Sequence, residues 1–286
     1  MVCMDTIAVT GVSGQIGSRV AAGLLEHGIE AKLLLRDRTK AVDLPEERVA
    51  VAEYGDGPAA RRALAGADLL FMVSAAESAD RLEEHRAFID AAAAAGVRHV
   101  VYTSFLGASP TATFTLARDH AATEDHLRAS GMDWTLLRDS FYLDLLPQFA
   151  GEDGVIRGPA GAGRVGAVLR ADVARCAAGV LADECTGARS HAGASYDLTG
   201  PEALTLTEIA QIVSDETGRH ITFHDETVEE AYASRAAYGA PPWQLDAWVS
   251  TYTAIKAGEL DAVTSAVTDL TGTPPGSLRE HLHALR

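Results

Sequence analysis

A doubly wound α/β fold on a parallel sheet is what the sequence predicts, and three observations predict it. Short apolar runs alternate with longer helical stretches through the first half of the chain. Most of those helical stretches end at a glycine, where a left-handed residue is favoured. A glycine-rich turn separates the first apolar run from the first helical stretch. Strands that are apolar throughout, without alternation, belong to a sheet covered on both faces.

Thr6-Ile7-Ala8-Val9-Thr10 reads as the first strand, and residues 18–27 as a helix closed by Gly28. Ala31-Lys32-Leu33-Leu34-Leu35 and Val49-Ala50-Val51-Ala52 are the second and third strands. Gly57-Pro58 opens a helix with proline in its first turn, and Gly66 ends it. Residues 69–73 form a fourth strand, and residues 81–95 a helix closed by Gly96. Val97-Arg98-His99-Val100-Val101-Tyr102 is the fifth strand. Residues 113–130 are a helix closed by Gly131, and Trp134-Thr135-Leu136-Leu137 is the sixth strand.

After about Pro147 the rhythm changes. Residues 151–166 are rich in Gly and Ala and read as loops. A helix begins at residues 170–174, and residues 195–199 and 220–224 read as strands. Residues 204–217 are amphipathic, and Thr205-Leu206-Thr207-Glu208 has capping-box spacing. The expected organisation is a sheet domain over residues 1–146 and a smaller α/β lobe over residues 147–286, interleaved with the sheet.

The 286 residues are 47% hydrophobic and 22% charged, which supplies a core and excludes bulk disorder. Lys plus Arg number 24 against 40 Asp plus Glu, a net charge of −16. So negative a surface repels nucleic acid and anionic membranes, so neither is expected as a partner. A phosphate-bearing ligand must be held by a local device. Cys3, Cys176 and Cys185 are sparse, odd in number and without a CxxC pair. They argue for a reducing compartment and against a disulfide framework or zinc site. An acid near the start and apolar runs of only strand length point to a cytoplasmic protein. His220 with His224, and His281 with His283, lack further ligands at useful spacing, so no metal is expected. Ser104 follows a strand but has no G-x-S-x-G elbow around it, which excludes a hydrolase nucleophile.

The local device is Thr10-Gly11-Val12-Ser13-Gly14-Gln15-Ile16-Gly17. It is a GxxGxxG variant of the Rossmann fingerprint, placed between strand and helix as that fingerprint requires. Gly11 permits the tight turn, Gly14 lets backbone approach a pyrophosphate, and Gly17 lets helix pack on strand. The helix N-terminus offers unpaired amides to phosphate. The second strand then runs into Arg36-Asp37-Arg38. Arginine at that point accommodates a ribose 2′-phosphate, which favours NADPH. Asp37 could instead meet a free 2′-hydroxyl, so NAD stays open.

With these residues the sequence resembles the NmrA-like atypical short-chain dehydrogenases/reductases. It is most similar to the branch of type 2 NAD(P)H:quinone oxidoreductases and triphenylmethane-dye reductases. Tyr54-Gly55-Asp56 resembles the segment that sets Asp56 by the adenine. Phe71-Met72-Val73-Ser74, with Ala75 next, resembles the strand end along the nicotinamide ribose. Val101-Tyr102-Thr103-Ser104 resembles the strand end beside the nicotinamide, with Phe105 following on the substrate side. His120-Ala121-Ala122-Thr123-Glu124 resembles the HxxTE helix, and Leu137-Arg138-Asp139-Ser140-Phe141-Tyr142 the LRN-x-x-Y segment. The tail, with Ile255-Lys256-Ala257-Gly258, is similar as well, so the resemblance covers nearly the whole chain.

Two departures bear on chemistry. Asp139 stands where the family has Asn, and a carboxylate only accepts hydrogen bonds. The Tyr and Lys positions of the common YxxxK pair hold Leu116 and His120. Reducing a ketone needs an acid as alkoxide develops. A quinone or cationic dye delocalises the incoming charge, so positioning over the nicotinamide supplies most of the catalysis. The implied activity is therefore hydride transfer from NADPH to a quinone-like or other conjugated aromatic small molecule. His120, with an ordinary value of about 6.5, is expected to orient the nicotinamide ribose or relay a proton. Tyr142 is expected to stack on the acceptor or hydrogen-bond to it, with Phe105, Asp139, Phe141, Phe149 and Trp243 around it. A homodimer is allowed. The alternatives are an NmrA-type redox-sensing regulator without turnover, and a reductase of enone, imine or polyketide-derived intermediates.

Overall fold

The computed structural model describes Cys3, residues 5–42 and residues 44–286. In chain order the elements are β1 (Ile7–Val9), α1 (Gly17–Glu26), β2 (Ala31–Leu35), β3 (Val49–Val51), α2 (Gly57–Leu64), β4 (Leu69–Met72), α3 (Arg81–Ala95), β5 (His99–Phe105), α4 (Thr115–Ala129) and β6 (Asp133–Asp139). There follow β7 (Val155–Gly158), β8 (Arg164–Val165), α5 (Arg170–Thr186), β9 (Ala194–Leu198), β10 (Leu204–Thr205), α6 (Leu206–Thr217), β11 (Thr222–Asp225), α7 (Val228–Arg235), α8 (Pro242–Lys256), α9 (Ala266–Thr271) and α10 (Leu278–Ala284).

A seven-stranded sheet has the order β3-β2-β1-β4-β5-β6-β9. The pairings of β1 with β2 and β4, of β2 with β3, and of β4 with β5 are all parallel. The winding reverses between β1 and β4. In such sheets, ligands bind in the crevice outside the carboxyl ends of the strands at that reversal. Every residue of β1, β4 and β5 is buried; β1 and β4 are accordingly apolar without alternation, while β5 also buries His99, Thr103 and Ser104.

Two compact units divide the chain. The first holds the described residues up to Ser104 with His120–Arg138 and Val173–Tyr196; the second holds Phe105–Asp119, Asp139–Asp172 and Asp197–Arg286. In the first, Leu70, Met72, Phe88, Ile89, Val100, Tyr102 and Leu127 form a fully buried core. In the second, Leu146, Ile156, Val165, Ile209, Ala254 and Ile255 do so.

Two readings need correction. Residues 151–166 are not loop throughout, because β7 pairs parallel with β11 and β8 antiparallel with β10. Each is too short to show a period, and its partner comes much later in the chain. The glycines there serve close approach: a Cβ at Gly158 would lie 2.2 Å from the Tyr252 ring, and one at Gly163 2.2 Å from Ile255 O. The second correction concerns the cysteines. Cys3 and Cys185 come together with Cα atoms 5.1 Å apart, within reach of a disulfide, across 182 residues, while Cys176 is buried elsewhere. Pairing at such separation leaves no spacing signature. The fifth strand also begins two residues later than expected and runs to Phe105. The expected capping box does form at the start of α6: Glu208 N–H donates to Thr205 Oγ1 and Thr205 N–H donates to Glu208. No helix among the described residues is long and apolar enough to cross a membrane.

Candidate active site

The turn after β1 is built by its glycines. Gly11 takes φ +65°, and Gly14 N–H closes back onto Gly11 O at 2.8 Å. A Cβ at Gly17 would lie 2.3 Å from Thr10 O and 2.5 Å from Gly11 O, so α1 could not start so close to β1 with any other residue. Ser13, Gly14 and Gln15 are exposed, and α1 has no acid in its first turn to offset its positive end. Exposed amides over a helix N-terminus and a backbone no side chain obstructs fit a pyrophosphate. Ile16 is buried beneath the turn. Thr10 acts as a brace: its Oγ1 accepts from Val73 N–H at 2.9 Å and lies 2.7 Å from the Tyr54 hydroxyl. Tyr54, stacked on Phe88 at 4.1 Å, donates to Val73 O at 2.6 Å.

At the end of β2, Arg36 is exposed and in no ion pair among the described residues. Asp37 Oδ1 instead accepts from Thr39 N–H at 2.9 Å and Thr39 Oγ1 at 2.7 Å. Those bonds hold its carboxyl below the ordinary range and commit it to capping the next turn. Arg38 pairs with Glu46 at 3.2 Å. Arg36 is thus an exposed cation at the end of β2 that no acid among the described residues engages. Asp56 is exposed and caps α2, accepting from Ala59 N–H at 3.0 Å.

The ends of β4 and β5 are laced by side chains. Ser74 N–H donates to Thr103 Oγ1 at 2.8 Å, and Ala75 N–H donates to His85 Nε2 at 2.8 Å. His85 Nδ1 therefore carries the ring proton toward Thr123 Oγ1, 2.9 Å away. Arg81, itself buried, donates through Nε to Ala75 O at 3.0 Å and through Nη2 to His120 Nε2 at 2.9 Å. His120 Nδ1 then donates to the Tyr102 hydroxyl at 2.9 Å. Burial first, and then the Arg81 charge, hold His120 well below its ordinary value. It is a neutral, buried histidine already engaged by Arg81 and Tyr102. Ser104 donates to Glu124 at 2.6 Å, so its hydroxyl is directed at α4.

Sequence reading missed Tyr54 as a brace and gave Arg81 and His85 no role at the site; Thr123 was read only as part of the HxxTE-like segment. The available signal was Arg81 and His85 at i and i+4 on a helix following a strand end. Burial first, and then Arg81, push His85 down to about 3. The unfolded chain binds that proton near the ordinary value of about 6.5, so between these limits acid favours unfolding. Urea unfolding at pH 7 and pH 5 is expected to show wild type losing up to about 1.4 kcal/mol per pH unit from this group. His85→Gln should flatten that slope, and equal slopes would contradict the assignment.

The expected substrate-side residues lie in the second unit. Phe105, Phe114 and Phe141 form a three-ring cluster, with centroids 4.9, 5.1 and 5.4 Å apart. The Tyr142 hydroxyl donates to Asp139 Oδ2 at 3.1 Å. Burial pushes the Asp139 carboxyl well above its usual range, with the Tyr142 bond opposing. Trp243 sits half-buried in the first turn of α8 and makes no ring contact with this cluster among the described residues. Phe149 lies 6.3 Å from the Tyr252 ring. No group of three or more His, Cys, Asp or Glu among the described residues could hold a metal.

Known proteins resemble this chain in sequence and fold. The sequence model of a family described as NAD(P)H-binding matches residues 11–184. A structure of NADPH-dependent quinone oxidoreductase from Escherichia coli, complexed with NADPH, is 33% identical, with a TM-score of 0.87 over 98% of this chain and 99% of that one. The triphenylmethane reductase of Citrobacter sp., complexed with NADP(H), is 28% identical, with a TM-score of 0.84 over 98% and 100%. NAD(P)H azoreductase from Xenophilus azovorans is 31% identical over 97% of each chain. The glycine turn, the winding reversal beside it and likeness along almost the whole length agree: the chain belongs to the NAD(P)H-binding reductase family.

Proposed function

We propose that the protein is an NADPH-dependent reductase that passes a hydride to a quinone-like or other conjugated aromatic small molecule. One observation carries the choice of acceptor. Where a Tyr and Lys would furnish an acid, the chain has Leu116 and a neutral, buried His120 already bonded to Arg81 and Tyr102. An acceptor that delocalises charge suits such a site. Relatives named for quinone and azo reduction support the same reading.

When bound, NADPH supplies the hydride. The amides of the residue 11–17 turn would bind its pyrophosphate, and Arg36 its 2′-phosphate. Val73, Ser74, Ala75 and Thr103 would line its nicotinamide end, held in place by Arg81, His85 and His120.

Purified protein with NADPH and a panel of quinones should oxidise NADPH above background. Tight dinucleotide binding without turnover of any acceptor would favour a sensing role and defeat the proposal. Arg36→Ala should raise the KM for NADPH about 10- to 100-fold, the loss of one or two charge-assisted bonds. The KM for NADH should barely move. Equal changes for both coenzymes would show that Arg36 does not meet the 2′-phosphate.

A further inference from the structure

We propose that the second unit carries a small-molecule site of its own, a cavity bounded by β7, α7 and α8 that takes a planar aromatic carboxylate. The inference goes beyond the reductase reading and does not depend on it.

The cavity measures about 610 Å³, inside the range of about 300–1,000 Å³ usual for small-molecule sites. Every residue lining it belongs to the second unit. Four of them are aromatic: Phe149, Tyr238, Trp248 and Tyr252. Tyr252 is buried, and the missing side chain of Gly158 lets its ring lie against β7. Tyr238 meets Trp248 edge-on, with centroids 5.9 Å apart, and is 75% exposed. Rings arranged in this way offer faces and edges to a flat ligand. Trp248 and Tyr252 are neighbours on one side of α8. Ser250, two residues from each and a little over half a turn away, points elsewhere: its Oγ accepts from Thr115 N–H at 3.1 Å. The cavity therefore lies across α8 from Thr115. Of the residues that the sequence groups around an acceptor, Phe149 alone lines it.

Charge selects the ligand. The wall holds Arg157 and Arg235 but no Asp or Glu, in a chain whose net charge is −16. The two arginines differ. Arg235 is buried; its Nη1 donates to Glu226 at 2.9 Å and its Nη2 to Arg157 O at 2.8 Å. Its guanidinium lies 5.0 Å from the Tyr252 ring centroid, so it braces that ring. Arg157 is 39% exposed and pairs at 2.6 Å with Asp153, itself 54% exposed. A pair so open to water contributes little, and a second carboxylate can share the guanidinium. The bonds from Arg157 to Asp153 and to Val155 O use three of its five N–H donors. An aromatic acid would set its rings among the four aromatic side chains and its carboxylate on Arg157. A cationic aromatic would meet two guanidinium groups instead.

Titration with 2-naphthoate, followed by calorimetry and by tryptophan fluorescence, tests the site. Wild type should bind the acid more tightly than neutral 2-naphthamide, with quenching. Arg157→Gln should weaken the acid about 10-fold, the low end for a charge-assisted bond partly open to water, and leave the amide almost unchanged. Asp153→Asn removes the competing carboxylate and should strengthen the acid about 2- to 5-fold, the scale of an exposed ion pair. Trp248→Phe should bind the acid and lose most of the quenching. No heat with 2-naphthoate overturns the site. Equal affinity for acid and amide in wild type overturns the assignment of a carboxylate. Wild-type affinity in Arg157→Gln, or full quenching in Trp248→Phe, puts the acid elsewhere and overturns the proposal.

Discussion

Gly17→Ala should weaken dinucleotide binding by about 100-fold or more, the scale on which a misplacement of 1 Å is felt at a positioned site. The added methyl would meet Thr10 O at 2.3 Å and Gly11 O at 2.5 Å. Both are backbone atoms of the phosphate turn, so no side chain can swing aside. Relief requires α1 to back away from β1, and that carries the exposed amides off their target. Two other glycines grade the argument. At Gly14 the nearest atom to an added Cβ is Gly11 O at 3.2 Å. Gly14→Ala should therefore cost less through packing, and what it costs should be specific to the ligand. Gly28 takes φ +73° with nothing within 4 Å of an added Cβ. Gly28→Ala should lower stability by about 1 kcal/mol and leave binding unchanged. Calorimetry with NADPH, beside circular dichroism to confirm folding, gives the order. Wild-type affinity in folded Gly17→Ala would refute the account of the turn.

The features legible in the sequence are those set by neighbours in the chain. The residue 10–17 turn declares itself because its glycines answer to one another's backbone. The strands β1 and β4 declare themselves because burial on both faces leaves them no polar position. What stayed hidden was made by residues far apart. Tyr54 looked like part of an adenine-side segment, but its hydroxyl meets Thr10, 44 residues earlier, and Val73, 19 residues later. His120 read as a group for the nicotinamide ribose or a proton relay, and nothing local shows that Arg81, 39 residues away, lies against it. Cys3 and Cys185 give no hint of one another. In the second half, β7 and β8 are strands only because β11 and β10 return to them. The substitution at residue 139 was visible at once, but its consequence depends on burial, which sequence spacing does not report.

Glu124 offers the largest stability effect in the first unit. Its carboxylate is 1% exposed and accepts from Ser104 Oγ at 2.6 Å, Arg138 Nε at 2.8 Å and Nη2 at 2.6 Å, and Arg128 Nη2 at 2.9 Å. One buried acid thus joins the end of β5, the strand β6 and its own helix α4. Removing one partner of a buried ion pair costs far more than the pair itself contributes, because the remaining charge is left uncompensated. Glu124→Ala should destabilise the protein by about 3 kcal/mol. Arg128 and Arg138 are only partly exposed, at 36% and 25% of their side chains, so solvent recovers a share of their charge. That keeps the figure at the lower end of the range. Glu124→Gln retains an acceptor for Ser104 and one arginine but no charge between two guanidinium groups. It should fall between wild type and Glu124→Ala. In Glu124→Ala the release of the Ser104 hydroxyl loosens the strand that carries Thr103, so quinone turnover should drop further than NADPH affinity. Urea denaturation with matched m-values checks the stability order, and a Glu124→Ala as stable as wild type would show that the acid joins nothing.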